Sequence, residues 1–205
     1  GIKQDLRVFA HAQLPVKIVQ LRLENKSKRV RRINVSYYAE WVLGDLREVH
    51  APYLIPDFDS RLSALFVHNP YNTEFSSRVA FLASTRDISW ISTDRLEFLG
   101  ARGDYGNPSA LRRLGLTGNI QAGSDPCGVI QNLIWLAPGE TKEVSFILGQ
   151  GADRQEASEI ISQLQKLENR EAAWQAVKNK WQNILGQIQV KTPEKSMDIM
   201  LNNWL

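Results

Sequence analysis

The feature that most constrains this chain is a change of period near Gly151. Before it, β-branched and aromatic residues recur at every second position between turn formers; after it, apolar residues recur every three or four. The first pattern reads as strands, the second as amphipathic helix. Many strands without intervening helices favour an antiparallel β-sandwich over a parallel βαβ sheet. At 205 residues, 43% of them hydrophobic, the chain can fill a real core.

Residues 16–23 put Val19, Leu21 and Leu23 on one face. Residues 30–43 alternate Ile33, Val35, Tyr37, Ala39, Trp41 and Leu43 with Asn34, Ser36, Tyr38, Glu40 and Val42, and a strand that long is expected to bend across a sandwich. Shorter strands are predicted at 62–67, 78–84, 88–92 and 96–99. A hairpin is predicted from 129–136 to 143–148 through Pro138 and Gly139, a pair suited to a tight turn. The sandwich is thus placed at residues 1–151.

Residues 152–191 read as a helical linker. Asp153 can cap a helix with Glu156 three residues on, and Ala157, Ile160, Ile161, Leu164 and Leu167 form its stripe. Trp174, Val177, Trp181, Ile184 and Leu185 continue in a second helix that Gly186 can end. After a short extended piece, Thr192 and Pro193 suit the cap and first position of a third helix over 192–205, with Met197, Met200, Leu201 and Trp204 on one stripe. That stripe needs a partner, and the chain reads as a fragment of a longer polypeptide.

With 25 basic and 22 acidic residues the net charge is only +3, so no strong field implies a nucleic-acid partner. Lys26, Lys28, Arg29, Arg31 and Arg32 cluster around an expected turn without interleaved aromatic residues, which reads as a solvated turn. A single cysteine, Cys127, excludes an internal disulfide and fits a reducing, cytoplasmic setting. It lies in a loop entering an apolar strand, where an inert buried thiol is expected. No apolar run is long enough to span a bilayer. His11, His50 and His68 are far apart and lack cysteine or HExxH company, so neither metal nor cofactor is expected.

Residues 94–128 hold seven of the 13 glycines and are the expected seat of any function. The run 100–106 has neither Walker nor GxGxxG spacing. Asp45, Glu48, Asp57, Asp59, Asp94, Asp104 and Asp125 are available for acid-base work. Hydrolysis, however, needs two carboxylates at a set separation, which sequence spacing does not supply. Among the aromatics, Tyr53, Tyr71 and Tyr105 sit in loop-like segments and suit stacking on sugar rings better than those within strands.

A run of segments carries a resemblance along nearly the whole chain. They are Tyr38-Ala39-Glu40-Trp41-Val42-Leu43-Gly44, Asn69-Pro70-Tyr71-Asn72-Thr73-Glu74-Phe75, Thr93-Asp94-Arg95-Leu96-Glu97-Phe98-Leu99-Gly100-Ala101-Arg102, Asp125-Pro126-Cys127-Gly128, Leu148-Gly149-Gln150-Gly151, Gln189-Val190-Lys191-Thr192-Pro193, and Asp198 onward. Together they resemble the β-sandwich and linker region of the cyclic β-1,2-glucan synthase and cellobiose phosphorylase family of inverting glycoside phosphorylases, glycoside hydrolase family 94. Ala101 is inserted between Gly100 and Arg102, and Ser124 stands where many relatives have leucine.

The resemblance implies a mainly β fold, an antiparallel β-sandwich of the galactose-mutarotase-like super-sandwich type, followed by linker α-helices. It also implies a catalytic aspartate in an (α/α)6 barrel beyond this chain, so no catalytic residue is assigned here. The expected role is a non-catalytic accessory module that packs against that barrel, dimerises, and contacts the acceptor end of a β-glucan or oligosaccharide. Arg102, Asp104, Tyr105, Tyr71 and Asp125 are its expected sugar contacts. The parent enzyme itself is open to membrane association. A stand-alone sugar mutarotase using His and Glu, and a free carbohydrate-binding module, are the alternatives.

Overall fold

The computed structural model describes residues 1–123 and 125–203, so Ser124 and Trp204 lie outside the described residues. The strands are β1 (Ile2–Ala10), β2 (Val16–Asn25), β3 (Arg31–Glu40), β4 (Ile55–Asp59), β5 (Ala64–His68), β6 (Val79–Ser84), β7 (Trp90–Asp94), β8 (Pro126–Leu136) and β9 (Thr141–Gly151). The α-helices are α1 (Arg47–His50), α2 (Arg95–Leu99), α3 (Arg154–Leu164), α4 (Leu167–Gly186) and α5 (Lys195–Asn203). Six strands form one sheet in the order β1-β2-β9-β6-β5-β4, three form the other in the order β3-β8-β7, and all pairs are antiparallel.

The middle strands of the larger sheet are buried on both faces. Leu65, Val67, Ala80, Leu82, Val144 and Phe146 meet Ile91, Ile130, Ile134 and Leu136 of the smaller sheet. Their neighbours Ala64, Phe66, Val79, Phe81, Ala83 and Ile147 turn the other way, onto Ala157, Ile160, Ile161 and Leu164 of α3 and Ala173 of α4. A strand covered on both sides reads as a continuous apolar run, as in the Ala64–His68 and Val79–Ser84 segments. β2 shows the split well: Val19, Leu21 and Leu23 face the smaller sheet, as the period predicts, while Val16 and Ile18 face the helices.

One end of the outer face of the smaller sheet is covered by the segment after β7, where Phe98, Leu99, Ala110 and Leu116 close over Cys127 and Val129, while Trp135 at the other end is 53% exposed. The fold thus runs helices, large sheet, small sheet, irregular cover. Cys127 is fully buried, and burial followed by the nearby carboxylates Asp94, Asp125 and Glu40 pushes its thiol up.

Three local expectations are corrected. Residues 96–99 are not a strand: Asp94 accepts from Leu96 N at 2.9 Å as an N-cap, and Gly100 at φ 85° ends a five-residue helix. The strand beginning near residue 30 stops at Glu40 rather than 43, and Leu43 takes φ 44°. Leu167 does not join the α3 stripe; it opens α4 and is 51% exposed. Two strands escaped the pattern, β1 because charged residues interrupt its alternation and β4 because Pro56 sits in an edge strand.

Asp153 caps α3 as expected, accepting from Glu156 N at 2.8 Å, while the Glu156 side chain reaches one residue further back than in a capping box and accepts from Ala152 N. The Pro138-Gly139 turn joins β8 to β9 with Gly139 at φ 76°, a conformation that favours glycine. The basic cluster surrounds a turn tied by Asn25, whose side chain donates to Arg29 O at 2.8 Å and accepts from Ser27 N at 3.0 Å.

Candidate functional site

Glu40 ends β3, and its carboxylate is the centre of a polar network. Oε1 accepts from Tyr38 OH at 2.5 Å, Tyr105 OH at 2.7 Å and Arg95 Nε at 2.8 Å; Oε2 accepts from Arg47 Nη1 at 2.8 Å. The same two arginines reach Asp125, Arg47 Nη2 at 2.5 Å and Arg95 Nη1 at 3.4 Å. Two carboxylates and two guanidiniums therefore alternate in a closed ring of no net charge. Pieces far apart in sequence meet here because Glu40 pairs with Cys127 across β3 and β8, while Arg95 opens α2 directly after β7.

Burial raises the Glu40 pKa, but the hydrogen bonds from Tyr38, Tyr105 and Arg95 and the charge of Arg47 outweigh it and hold the carboxyl at about 2. Arg95 is raised in turn by its hydrogen bonds to Tyr105 and Glu40. Tyr38 is raised by burial and then by its bond to Glu40, and its ring stacks on Phe98 with centroids 4.8 Å apart. Glu40 is thus a fixed anion and cannot carry a proton to a leaving group near neutral pH.

Above this ring lies the loop that holds Arg102, Asp104 and Tyr105, all exposed. Tyr105 is 63% exposed, yet its hydroxyl is anchored on Glu40 and the Arg95 guanidinium lies over its ring, 5.9 Å from the centroid, so the exposed ring is held in place. Gly103, at φ 61°, lets the chain pass over that guanidinium. Asp104 accepts from Gly106 N at 2.8 Å, the turn-forming role. Of the five residues singled out from sequence, Tyr105 and Asp125 share one network, Arg102 and Asp104 share the loop, and Tyr71 lies elsewhere.

Tyr71 stands at an open cleft of about 1040 Å³ whose lining includes Leu43, Asp45, His50, Asn69, Phe75 and Arg78. Its ring stacks on Tyr53 with centroids 4.1 Å apart and a 9° tilt. His50 is buried and held on both nitrogens: Asn69 Nδ2 donates to Nδ1 at 2.8 Å, which leaves Nε2 to donate to Asp45 Oδ1 at 2.7 Å. Asn69 is itself oriented, donating to Leu43 O at 2.8 Å and accepting from Tyr71 N at 3.1 Å. The hydrogen bond from His50 and that from Leu46 N hold the Asp45 carboxyl below the usual range. Gly44 packs directly under the imidazole, so a Cβ there would lie 2.1 Å from a ring carbon.

Three of the other carboxylates singled out from sequence have structural partners. Asp57 pairs with Arg154 at 2.6 Å, Asp59 accepts from Arg61 N at 2.9 Å, and Asp94 caps α2. His11 accepts from Leu14 N at 3.0 Å within its turn. Sequence reasoning missed Glu40, Arg47, Arg95, His50 and Asn69. Glu40 falls on the polar side of its alternation, after Asn34, Ser36 and Tyr38, so nothing local marks it out or points to its arginines.

The chain is 33% identical over 196 residues to the cyclic beta-(1,2)-glucan synthase NdvB of Rhizobium meliloti (strain 1021), covering 95% of this chain and 7% of the synthase. It is 27% identical over 212 residues to the N,N'-diacetylchitobiose phosphorylase of Vibrio proteolyticus and 26% identical over 211 residues to the solabiose phosphorylase of Paenibacillus borealis. Each match covers 100% of this chain, but 26% and 27% of those enzymes. The chain therefore spans about a quarter or less of the length of these relatives. The profile for the supersandwich domain of glycosyl hydrolase 94 matches residues 1–167, the stretch that holds both sheets, the charge ring and α3, and on that match the chain belongs to the glycosyl hydrolase 94 family.

Proposed function

We propose that this chain is a non-catalytic accessory module of a glycoside phosphorylase or cyclic β-1,2-glucan-processing enzyme. It packs against a catalytic barrel, dimerises, and offers the Tyr105 loop to an acceptor sugar. The observation that carries this reading is the state of the carboxylates: Glu40 and Asp125 are both neutralised by Arg47 and Arg95. Inverting attack on a glycosidic bond requires a protonated acid at the leaving oxygen, and a carboxyl held at about 2 does not supply one.

What such a ring does well is hold a surface still. The anchored Tyr105 ring, with the Arg102 guanidinium on the same loop, offers a rigid apolar face and hydrogen-bond donors, the combination that orients a sugar. Tyr71, which lines the cleft and stacks on Tyr53, is a second exposed aromatic ring.

Kinetics of the full-length enzyme test the reading. Tyr105→Ala should raise the acceptor KM about ten-fold, the loss of one ring contact worth roughly 1.4 kcal/mol, while donor kinetics and melting temperature hardly move. The isolated chain should release no glucose 1-phosphate from β-1,2-glucan and phosphate. Phosphorolysis by the pure chain, or unchanged acceptor kinetics in the variant, would overturn the assignment.

A further inference from the structure

The cleft at Tyr71 shares no residue with the network around Glu40, yet its walls are firmly built. The Asn69 amide alone joins three of its parts, bonding Leu43 O, His50 Nδ1 and Tyr71 N. Asn72 fixes the next turn, accepting from Glu74 N at 3.1 Å and Phe75 N at 3.2 Å. Residues 43–50 and 69–78 are thus held in one geometry, and little ordering is left for a ligand to impose. Around this frame, hydrogen-bonding groups stand unused. The side chains of Tyr71, Thr73, Glu74, Arg78 and Gln150 all line the cleft, and none has a hydrogen-bond or ion-pair partner among the described residues. Tyr71 and Phe75 add two half-exposed rings.

Charge narrows the class of ligand. In the lining one cation, Arg78, is set against two carboxylates, Asp45 and Glu74, and His50 is neutral because Nδ1 accepts while Nε2 donates. The cleft therefore carries one net negative charge, which disfavours phosphate and other anions. A cation is not favoured either: the Phe75 ring, which could hold one, already has the Arg78 guanidinium 6.0 Å from its centroid. A neutral polyol meets neither obstacle. Its hydroxyls both donate and accept, so carboxylate, guanidinium and amide in one site all find partners, while its C–H surface packs on the rings. The volume of about 1040 Å³ lies at the top of the range of ligand sites, about 300–1,000 Å³, and gives room for more than one sugar ring.

We infer that this cleft is a binding site for a neutral oligosaccharide, separate from the Tyr105 loop, that holds a glucan chain on the module without entering its chemistry. The site stands on the cleft itself; only the choice of a β-1,2-linked glucan as its occupant rests on the reading above. Tyr71 contributes ring and hydroxyl, Arg78 and Gln150 donate to sugar oxygens, and Glu74 and the second oxygen of Asp45 accept from sugar hydroxyls. His50 and Asn69 are positioning residues, since their own hydrogen bonds are spent on fixing the walls.

A nuclear magnetic resonance titration of the isotope-labelled chain with a linear β-1,2-linked glucose oligomer tests this. Amide signals of residues 43–50 and 69–78 should shift with a Kd of about 1 mM or tighter. Tyr71→Ala should weaken binding about ten-fold and Arg78→Ala about five-fold. Arg78 is exposed and holds no ion pair among the described residues, so its variant keeps the test valid even if loss of the Tyr53 stack loosens Tyr71→Ala. Glucose alone should bind about ten-fold more weakly than the oligomer, inorganic phosphate should shift none of these signals, and Tyr105→Ala should leave the Kd unchanged. Cello-oligosaccharide separates the cleft from the choice of glucan: binding to it alone would uphold the site and overturn the reading that selected the linkage. No shifts in these two stretches with either oligomer, an unchanged Kd in both cleft variants, equal affinity for glucose and oligomer, or tighter binding of phosphate than of sugar would each overturn the proposal.

Discussion

Glu40→Gln removes one charge from the ring while keeping the side chain's size and an oxygen that can still accept from Tyr38 and Tyr105. The carboxyl falls from an ordinary 4.5 to about 2 on folding, which at 1.36 kcal/mol per unit corresponds to about 3 kcal/mol. Its side chain is 26% exposed, and solvent screening at that exposure brings the usable contribution down to about 1–2 kcal/mol. For a chain of this size that is a fall of roughly 3–6 °C in melting temperature. Because the folded-state pKa is the lower one, the stabilisation is complete above pH 4.5 and is lost as pH falls toward 2. Urea titrations of wild type and variant from pH 3 to pH 7 check this: the gap should be widest near neutrality and narrow steadily below pH 4.5. Equal stabilities at pH 7, or a gap that stays constant across the range, would show that Glu40 acts through packing and that the ring contributes no net charge stabilisation.

Other outcomes follow from single contacts. Gly44→Ala drives a methyl group into the His50 ring, which is held on both nitrogens, and should cost about 1–3 kcal/mol of overpacking; denaturant unfolding measures the loss, and an unchanged midpoint would refute the packing argument. Ile161→Ala empties a fully buried site between α3 and the larger sheet and should cost about 2–5 kcal/mol in a single cooperative transition. A loss under about 1 kcal/mol would mean that α3 contributes little to the core. Cutting the chain after Lys191 removes α5, whose Met197 and Met200 are half-exposed, and should move the melting temperature by less than about 2 °C; a larger fall would place α5 in the domain's own core.

Local chemistry wrote much of this architecture into the sequence. The change of period at Gly151 separates strands from helices, the Pro138-Gly139 pair turns β8 into β9, and Asp153 with Glu156 starts α3, each within a few residues. The alternation in residues 16–23 already places Val19, Leu21 and Leu23 on the inter-sheet face. The family was legible too, because its segments recur in order along the chain. The strands buried on both faces were harder to read, since a continuous apolar run such as Val79–Ser84 has no period that assigns its two faces. The five-residue α2 was misread because it is too short to show a helical period.

The candidate site was decided by tertiary structure alone. Glu40, Arg47, Arg95, Tyr105 and Asp125 are brought together by the pairing of β3 with β8 and by the return of the chain after β7. No spacing in the sequence records those meetings. The same holds for His50, an isolated histidine in sequence, which becomes a fixed group of defined tautomer only when Asn69 and Asp45 close on its two nitrogens. Periodicity and capping are short-range effects that a few neighbouring residues determine. Electrostatic partnership depends on which surfaces the strand order lays side by side, and that order is settled only when the whole sandwich has formed.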